Sequence, residues 1–146
     1  MEQDKGLHLK KFEFLEHTAD VGIRVFGKDI GELFLNAALG MICVMADLST
    51  IEPRHIERIE VKAQDTEGLM FEWLNEIIYM IEAKNLIFSQ FSITSITERS
   101  ISAEIGGETP DTIRHKLKTG IKACTYHALR VEKTSSKWIA QVFFDV

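Results

Sequence analysis

Apolar positions in the first third of the chain change from an alternating spacing to a helical one. Two short segments, one beginning at Phe12 and one at Val21, alternate apolar and polar residues, which predicts two β-strands. Asp29 is suited to cap the helix that follows, which runs to about Ala46. Apolar residues occupy nearly the whole circumference of this helix, so we expect it to be buried on more than one side.

The middle of the chain repeats the order of strand and helix. Residues 55–63 alternate and predict a third strand. Asp65 and Glu67 then open a second helix, because acidic residues are favourable near the positive end of a helix dipole. A stripe of Trp and Met side chains that includes Trp73 follows at helical spacing, which predicts a helix in the core.

The remaining residues alternate apolar side chains with Ser, Thr and Gln. This pattern predicts antiparallel strands at 86–97 and 100–105, with one face toward solvent. A short helix is predicted near Pro110, followed by a hairpin of residues 121–132 and 138–146. The order β-β-α-β-α-β-β-(short α)-β-β predicts a single α+β domain with a mainly antiparallel sheet packed on two long buried helices.

The composition is typical of one packed domain. Hydrophobic residues are 45% and charged residues 27% of the 146 positions, so the core needs no disulfide. Cys43 and Cys124 belong to no CxxC motif, and we expect two reduced thiols. We expect residues 11–146 to form the domain and residues 1–10 to be a flexible leader. Neither a signal peptide nor a membrane span is evident, so we expect a cytoplasmic protein without membrane contact.

The charge balance limits the partners of the chain. Lys and Arg number 17 and Asp and Glu number 22, which gives a formal net charge of −5. Proteins that bind nucleic acid by themselves depend on a basic surface that releases counterions from the phosphates. We therefore expect no strong direct nucleic-acid binding.

Catalytic sequence motifs do not occur in the chain. The sequence has no GxSxG, phosphate-binding loop, HExxH or GxGxxG. His17 and His127 are possible acid–base groups, but His127 is in phase with the apolar Ile121 and is predicted to be a hydrogen-bonded core histidine. We predict no catalytic residue.

Two acidic residues stand at predicted strand ends. Asp20 lies at the start of the second strand, and Asp145 is the penultimate residue of an apolar strand that ends at Val146, whose terminal carboxylate adds a further negative charge. Concentrated negative charge needs a cation or a basic side chain for compensation. Oxygen donors without nitrogen or sulfur favour Ca²⁺, Mg²⁺ or Mn²⁺ over zinc. The residues leave two interpretations open, a divalent-metal site and simple solvated strand ends.

The chain resembles the archease family over nearly its whole length from Phe12, with motifs in the same order and spacing. The segments that carry the resemblance are residues 14–23, which contain HTAD at 17–20, parts of 32–41 and 67–76, and residues 121–127 and 144–146. Departures are small, since Cys124 and Met70 are conservative replacements for residues more usual in that family.

The resemblance implies a protein cofactor and not an enzyme. Archease-like proteins assist the GTP-dependent RNA ligase of tRNA splicing, promoting guanylylation of its active-site histidine and multiple turnover. The family's metal ligands correspond to Asp20, Asp145 and Val146, with calcium expected first and magnesium or manganese as alternatives. Lys122 and His17 are expected to contact the partner protein or a nucleotide phosphate.

The sequence leaves two other functions open. A role as a chaperone-like modulator of a tRNA methyltransferase is also ascribed to archease-like proteins. A small metal-dependent hydrolase is the third, with Asp20 and Asp145 as ligands, but the sequence offers no obvious general base for it.

Overall fold

Residues 10–15 and 20–146 are described by the structure, a computed structural model, and they form two antiparallel sheets around two long helices. The expected leader, residues 1–10, lies outside the described residues except for Lys10. The elements in chain order are β1 (Phe12–Leu15), β2 (Val21–Gly27), α1 (Ile30–Met45), β3 (His55–Lys62), α2 (Thr66–Lys84), β4 (Ile87–Ile96), β5 (Ser100–Glu108), β6 (Ala123–Cys124), β7 (Arg130–Lys133) and β8 (Trp138–Asp145).

The strands divide between two sheets. The five-stranded sheet has the order β1-β2-β8-β6, and β7 also pairs with β8, beyond β6 along that strand. The three-stranded sheet has the order β3-β5-β4. All pairs in both sheets are antiparallel, which confirms the predicted α+β class.

Both helices begin where the sequence predicts, because local side chains cap them. The Asp29 side chain accepts a hydrogen bond from the Glu32 backbone N–H at 2.8 Å, and the Glu32 side chain accepts from the Lys28 N–H at 2.8 Å. Asp65 caps α2 by accepting from the Gly68 N–H at 2.7 Å. These bonds satisfy backbone donors that have no partner within the helices.

The core lies between the helices and the sheets. Trp73 of α2 is fully buried, and its indole N–H donates to the Phe34 carbonyl of α1 at 3.0 Å. Helix α1 contacts β2 of one sheet and β4 of the other, which explains why its apolar surface is so wide. None of the described helices is both long and apolar enough to cross a lipid bilayer.

The prediction of a single strand at 121–132 is wrong, because the structure has two separate strands there, β6 and β7. Both pair with β8, and five residues between them, 125–129, lie opposite only two residues of β8. The extra residues leave the sheet as a loop, in which Ala128 has a φ of 54°. His127 lies in this loop and is exposed, so the predicted core histidine is also wrong.

The short helix predicted near Pro110 is a single hydrogen-bonded turn at residues 112–116. Asp111 caps this turn by accepting hydrogen bonds from the backbone N–H groups of Ile113 and Arg114, both at 3.0 Å. The turn does not continue, because Lys116 adopts a φ of 51°, which is unfavourable within a right-handed helix.

Candidate functional site

Three strand ends meet at one end of the five-stranded sheet. Val21 at the start of β2 pairs with Phe144 of β8, and Ala123 of β6 pairs with Asp145 from the other side. Asp20 and Asp145 are the next residues beyond the Val21–Phe144 pair. Cα atoms of residues opposite one another in antiparallel strands are about 4.5–5.5 Å apart, so the register brings the two predicted acidic residues together.

Val146 and Lys122 lie at the same end of the sheet. The Lys122 backbone N–H donates to the Asp145 carbonyl at 2.8 Å, and the Lys122 side chain is exposed. Val146 follows Asp145 and is 40% exposed. His17 lies outside the described residues. We refer to Asp20, Asp145 and Val146 together as the acidic edge.

The acidic edge has no basic side chain to neutralise it within residues 10–15 and 20–146. Asp20 is half-buried and Asp145 is exposed, and neither forms an ion pair there with Lys, Arg or His. Adjacent like charges without such a partner attract cations. The donors are all oxygens, which suit hard cations such as Ca²⁺ and Mg²⁺.

The side chains of the acidic edge can supply only some of the ligands that a divalent cation needs. Among the described residues no group of three or more His, Cys, Asp or Glu side chains is placed to hold a metal. The carboxylates of Asp20 and Asp145 supply fewer oxygens than the roughly six to eight that Ca²⁺ prefers. A cation held there would need further oxygen ligands from water or from a partner protein.

Packing beside the acidic edge is tight. The ring of Phe143 lies against Gly22, so a β-carbon at position 22 would come within 2.5 Å of the ring. Alternate residues of a strand share a face, so Asp20 lies on the face of Gly22, and Asp145 on the face of Phe143. The close contact between Gly22 and Phe143 therefore helps to set the positions of the two acidic residues.

Helix α2 holds β6 in place through an amide clamp. The Asn75 side chain accepts from the Cys124 N–H at 2.9 Å and donates to the Cys124 carbonyl at 3.1 Å. Burial raises the pKa of the Cys124 thiol to about 12, so this sulfur stays protonated at neutral pH and does not act as a thiolate metal ligand. Cys43 and Cys124 are both free, as predicted.

A second polar cluster, around Glu108, was not found from the sequence. The Glu108 side chain is nearly buried, and its two oxygens accept hydrogen bonds from the Arg114 guanidinium, both at 2.9 Å. The Glu52 N–H at 2.8 Å and the Arg54 Nε at 3.2 Å also donate to Glu108. The Arg114 guanidinium, followed by the Glu52 N–H and His115, holds the pKa of Glu108 far below its usual range.

His115 completes this cluster. Its ring is fully buried, with Nδ1 accepting from the Asp111 backbone N–H at 2.9 Å. Nε2 therefore carries the ring proton and donates it to Glu108 at 2.9 Å. All of these groups are paired with one another, so the cluster anchors the connection between β5 and β6 and offers no free group for chemistry.

Comparison with known proteins gives one consistent family. The sequence model of the archease protein family (MTH1598/TM1083) matches residues 12–146. A protein archease from Sulfurisphaera tokodaii is 34% identical over 140 residues, which is 94% of this chain and 100% of that protein. A protein archease from Methanosarcina barkeri is 38% identical over 141 residues, covering 94% and 97% of the two chains.

Two solved structures are similar to this one. The solution structure of Methanobacterium thermoautotrophicum protein 1598 superposes with a TM-score of 0.77 at 29% identity, covering 94% of this chain and 100% of that one. The crystal structure of an archease from Thermotoga maritima, described as a possible chaperone, gives a TM-score of 0.65 at 22% identity, covering 95% and 98%. At that identity the second likeness is one of fold alone.

Proposed function

Because the chain belongs to the archease family, we propose that it is a non-catalytic protein cofactor of tRNA processing that activates the GTP-dependent tRNA-splicing RNA ligase. In this proposal it promotes guanylylation of the ligase's active-site histidine, so that one ligase molecule completes many turnovers. The net charge of −5 is consistent with a cofactor that does not bind RNA strongly by itself, because in this proposal the ligase supplies the affinity for RNA.

The position of Asp20 and Asp145, each one residue beyond the Val21–Phe144 pair at one end of the sheet, is the observation that supports this proposal. Two carboxylates without a basic partner in the described part of the chain suit a divalent cation, for which we propose calcium first and magnesium or manganese as alternatives. Asp20, Asp145 and the carboxylate of Val146 would hold the ion. A bound cation supplies positive charge next to phosphate or carboxylate oxygens of the partner.

Lys122 and His17 are the proposed contacts to the ligase or to a nucleotide phosphate. The exposed ammonium of Lys122 belongs to the segment that pairs with Asp145, so a surface that reaches the metal also reaches this cation. The His17 part of the proposal rests on the HTAD sequence alone.

The partner distinguishes this proposal from its main alternative, a chaperone-like modulator of a tRNA methyltransferase. The words possible chaperone describe the Thermotoga maritima protein, whose likeness to this chain is one of fold, and they name no methyltransferase. Pull-down from a cell extract, with the wild-type chain and an Asp20→Asn, Asp145→Asn variant as baits, tests both. Recovery of the ligase by the wild type supports the first function, and recovery of the methyltransferase without the ligase supports the second. A small metal-dependent hydrolase would instead cleave members of a phosphoester panel.

A further inference from the structure

A cavity of about 600 Å³ lies at the far end of β2 from the acidic edge. Its walls come from the segment before β1, the end of β2, the turn that follows it, the first turns of α1, and the hairpin between β7 and β8. Its volume lies in the range of small-molecule sites, roughly 300–1,000 Å³. The seven residues of β2 separate it from Asp20 by about 20 Å at the usual rise of a strand, so it is a different site.

Four lysine residues line this space, which we call the lysine cavity: Lys10, Lys11, Lys28 and Lys137. Lys10 forms an ion pair with Glu13 at 3.2 Å, and the other three form none among the described residues. Glu32 is the acidic residue in the lining, and its Oε1 accepts from the Lys28 backbone N–H. Such a concentration of cations in a chain of net charge −5 favours an anionic ligand, and lysine is a common ligand of phosphate.

An apolar wall stands beside these cations. The apolar residues Phe26 and Leu35 line the cavity, and the Lys137 ammonium lies 5.3 Å from the centre of the Phe26 ring. Inorganic anions would use the ammonium groups and leave this wall without a contact. A ligand with both phosphate and a ring or sugar would use both parts of the lining.

Asn36 contributes a buried acceptor to the same cavity. This residue is only 4% exposed, and its Nδ2 donates to the Phe26 carbonyl at 2.8 Å, which fixes the orientation of the amide. Within the described part of the chain its Oδ1 accepts no hydrogen bond. Buried acceptors without a donor are costly, so a ligand N–H or O–H placed here gains more than one at the surface.

We propose that the lysine cavity binds a nucleoside polyphosphate. The phosphates lie among the ammonium groups of Lys28, Lys137 and Lys11, and the nucleoside packs on the Phe26 and Leu35 wall. An amino group of the base or a hydroxyl of the sugar donates to Asn36 Oδ1. This site is independent of the proposed metal at the acidic edge and of any ligase.

Calorimetric titration of the isolated full chain tests this proposal with GTP, ATP, inorganic triphosphate and a short single-stranded RNA. Wild type should bind one or both nucleotides more tightly than triphosphate, because only nucleotides reach the apolar wall and Asn36. A Lys28→Gln, Lys137→Gln variant should lose roughly tenfold or more in affinity, because it removes two charged contacts to the phosphates. Lys62→Gln is the matched control, because Lys62 is exposed on the other sheet.

Several outcomes overturn the proposal. No heat with either nucleotide, or equal affinities of wild type and the double variant, excludes the site. If inorganic triphosphate binds as tightly as GTP and ATP, the nucleoside makes no contact with the cavity. If the RNA binds and neither nucleotide does, the lysines form a nucleic-acid-binding surface instead. Because the ligase is absent from the experiment, a negative result leaves the proposed activation untouched.

Discussion

The ring of Phe143 occupies the space where a side chain of Gly22 would lie. A β-carbon on Gly22 would come within 2.5 Å of the ring's Cε1, so the sheet requires glycine here for close approach. Gly22 and Phe143 are opposite one another in β2 and β8, and each is two residues from an acidic residue of the acidic edge. The contact therefore links the packing of the sheet to the placement of Asp20 and Asp145.

Replacing this glycine should destabilise the protein. Gly22→Ala forces the Phe143 ring to move, and overpacking of this kind costs about 1–3 kcal/mol of the free energy of unfolding. Denaturant unfolding measures the loss. Gly120→Ala is the control, because a β-carbon there meets nothing within 4 Å and should leave stability nearly unchanged. Adding Phe143→Leu to Gly22→Ala should cost less than the sum of the single changes. Simple additivity would show that the contact is not the cause.

Removing a carboxylate from the acidic edge should abolish metal binding without unfolding the chain. Asp20→Asn eliminates one of two adjacent like charges, so we expect the melting temperature to stay the same or rise. Calorimetric titration with Ca²⁺, Mg²⁺ and Mn²⁺ should give heat with the wild type and none with the variant. Glu82→Gln, on the exposed face of α2, should bind like the wild type. Identical heats for Asp20→Asn and wild type would place the metal elsewhere.

A tag at the C-terminus should act differently from one at the N-terminus. In the proposed site Val146 supplies its carboxylate, and an extension beyond Val146 converts that carboxylate into an amide while leaving the core strand β8 intact. We expect normal folding with weakened binding of divalent cations, whereas a tag before Lys10 leaves binding unchanged. Titration of the two tagged proteins with Ca²⁺ makes the comparison. Equal affinities would leave Asp20 and Asp145 as the ligands without Val146.

Glu108 should contribute stability that depends on pH. Its pKa is lowered on folding by Arg114, the Glu52 N–H and His115. The stabilisation is therefore present above the ordinary glutamate pKa of 4.5 and is lost as pH falls below it toward the folded-state value. Glu108→Gln should lower the melting temperature at pH 7 far more than Glu104→Gln, which changes an exposed residue of the same strand.

Measurements at acidic pH provide the result that could contradict this account of Glu108. The difference in melting temperature between wild type and Glu108→Gln should shrink as the pH is lowered from 6 to 3, in roughly the range that glutamate titrates when unfolded. A difference that stays constant over this range would assign the stability of the cluster to shape and not to charge.

Features set by neighbouring residues were predictable from the sequence. Asp29 and Asp65 mark the starts of α1 and α2 because a cap is formed with backbone groups three residues away. Strands β1 to β5 were predicted to within a few residues from alternation alone.

Features set by distant residues were not predictable in this way. The alternation over 121–132 does not reveal that β6 and β7 both pair with β8. Nor does it reveal that the five residues between β6 and β7 lie opposite only two residues of β8. The Glu108 cluster depends on groups more than 50 residues away, such as the Glu52 N–H. Asp20 and Asp145 are 125 residues apart in the sequence, and the pairing of β2 with β8 brings them together.

The most direct test of the central claim is a ligation assay under multiple turnover. The tRNA-splicing ligase is kept limiting, with GTP, a divalent cation and excess RNA halves, and product is counted per ligase molecule with and without this chain. We predict that the wild type and Glu82→Gln carry ligation well past one product per ligase, and that the Asp20→Asn, Asp145→Asn variant does not. Equal product with and without the wild-type chain would contradict the account.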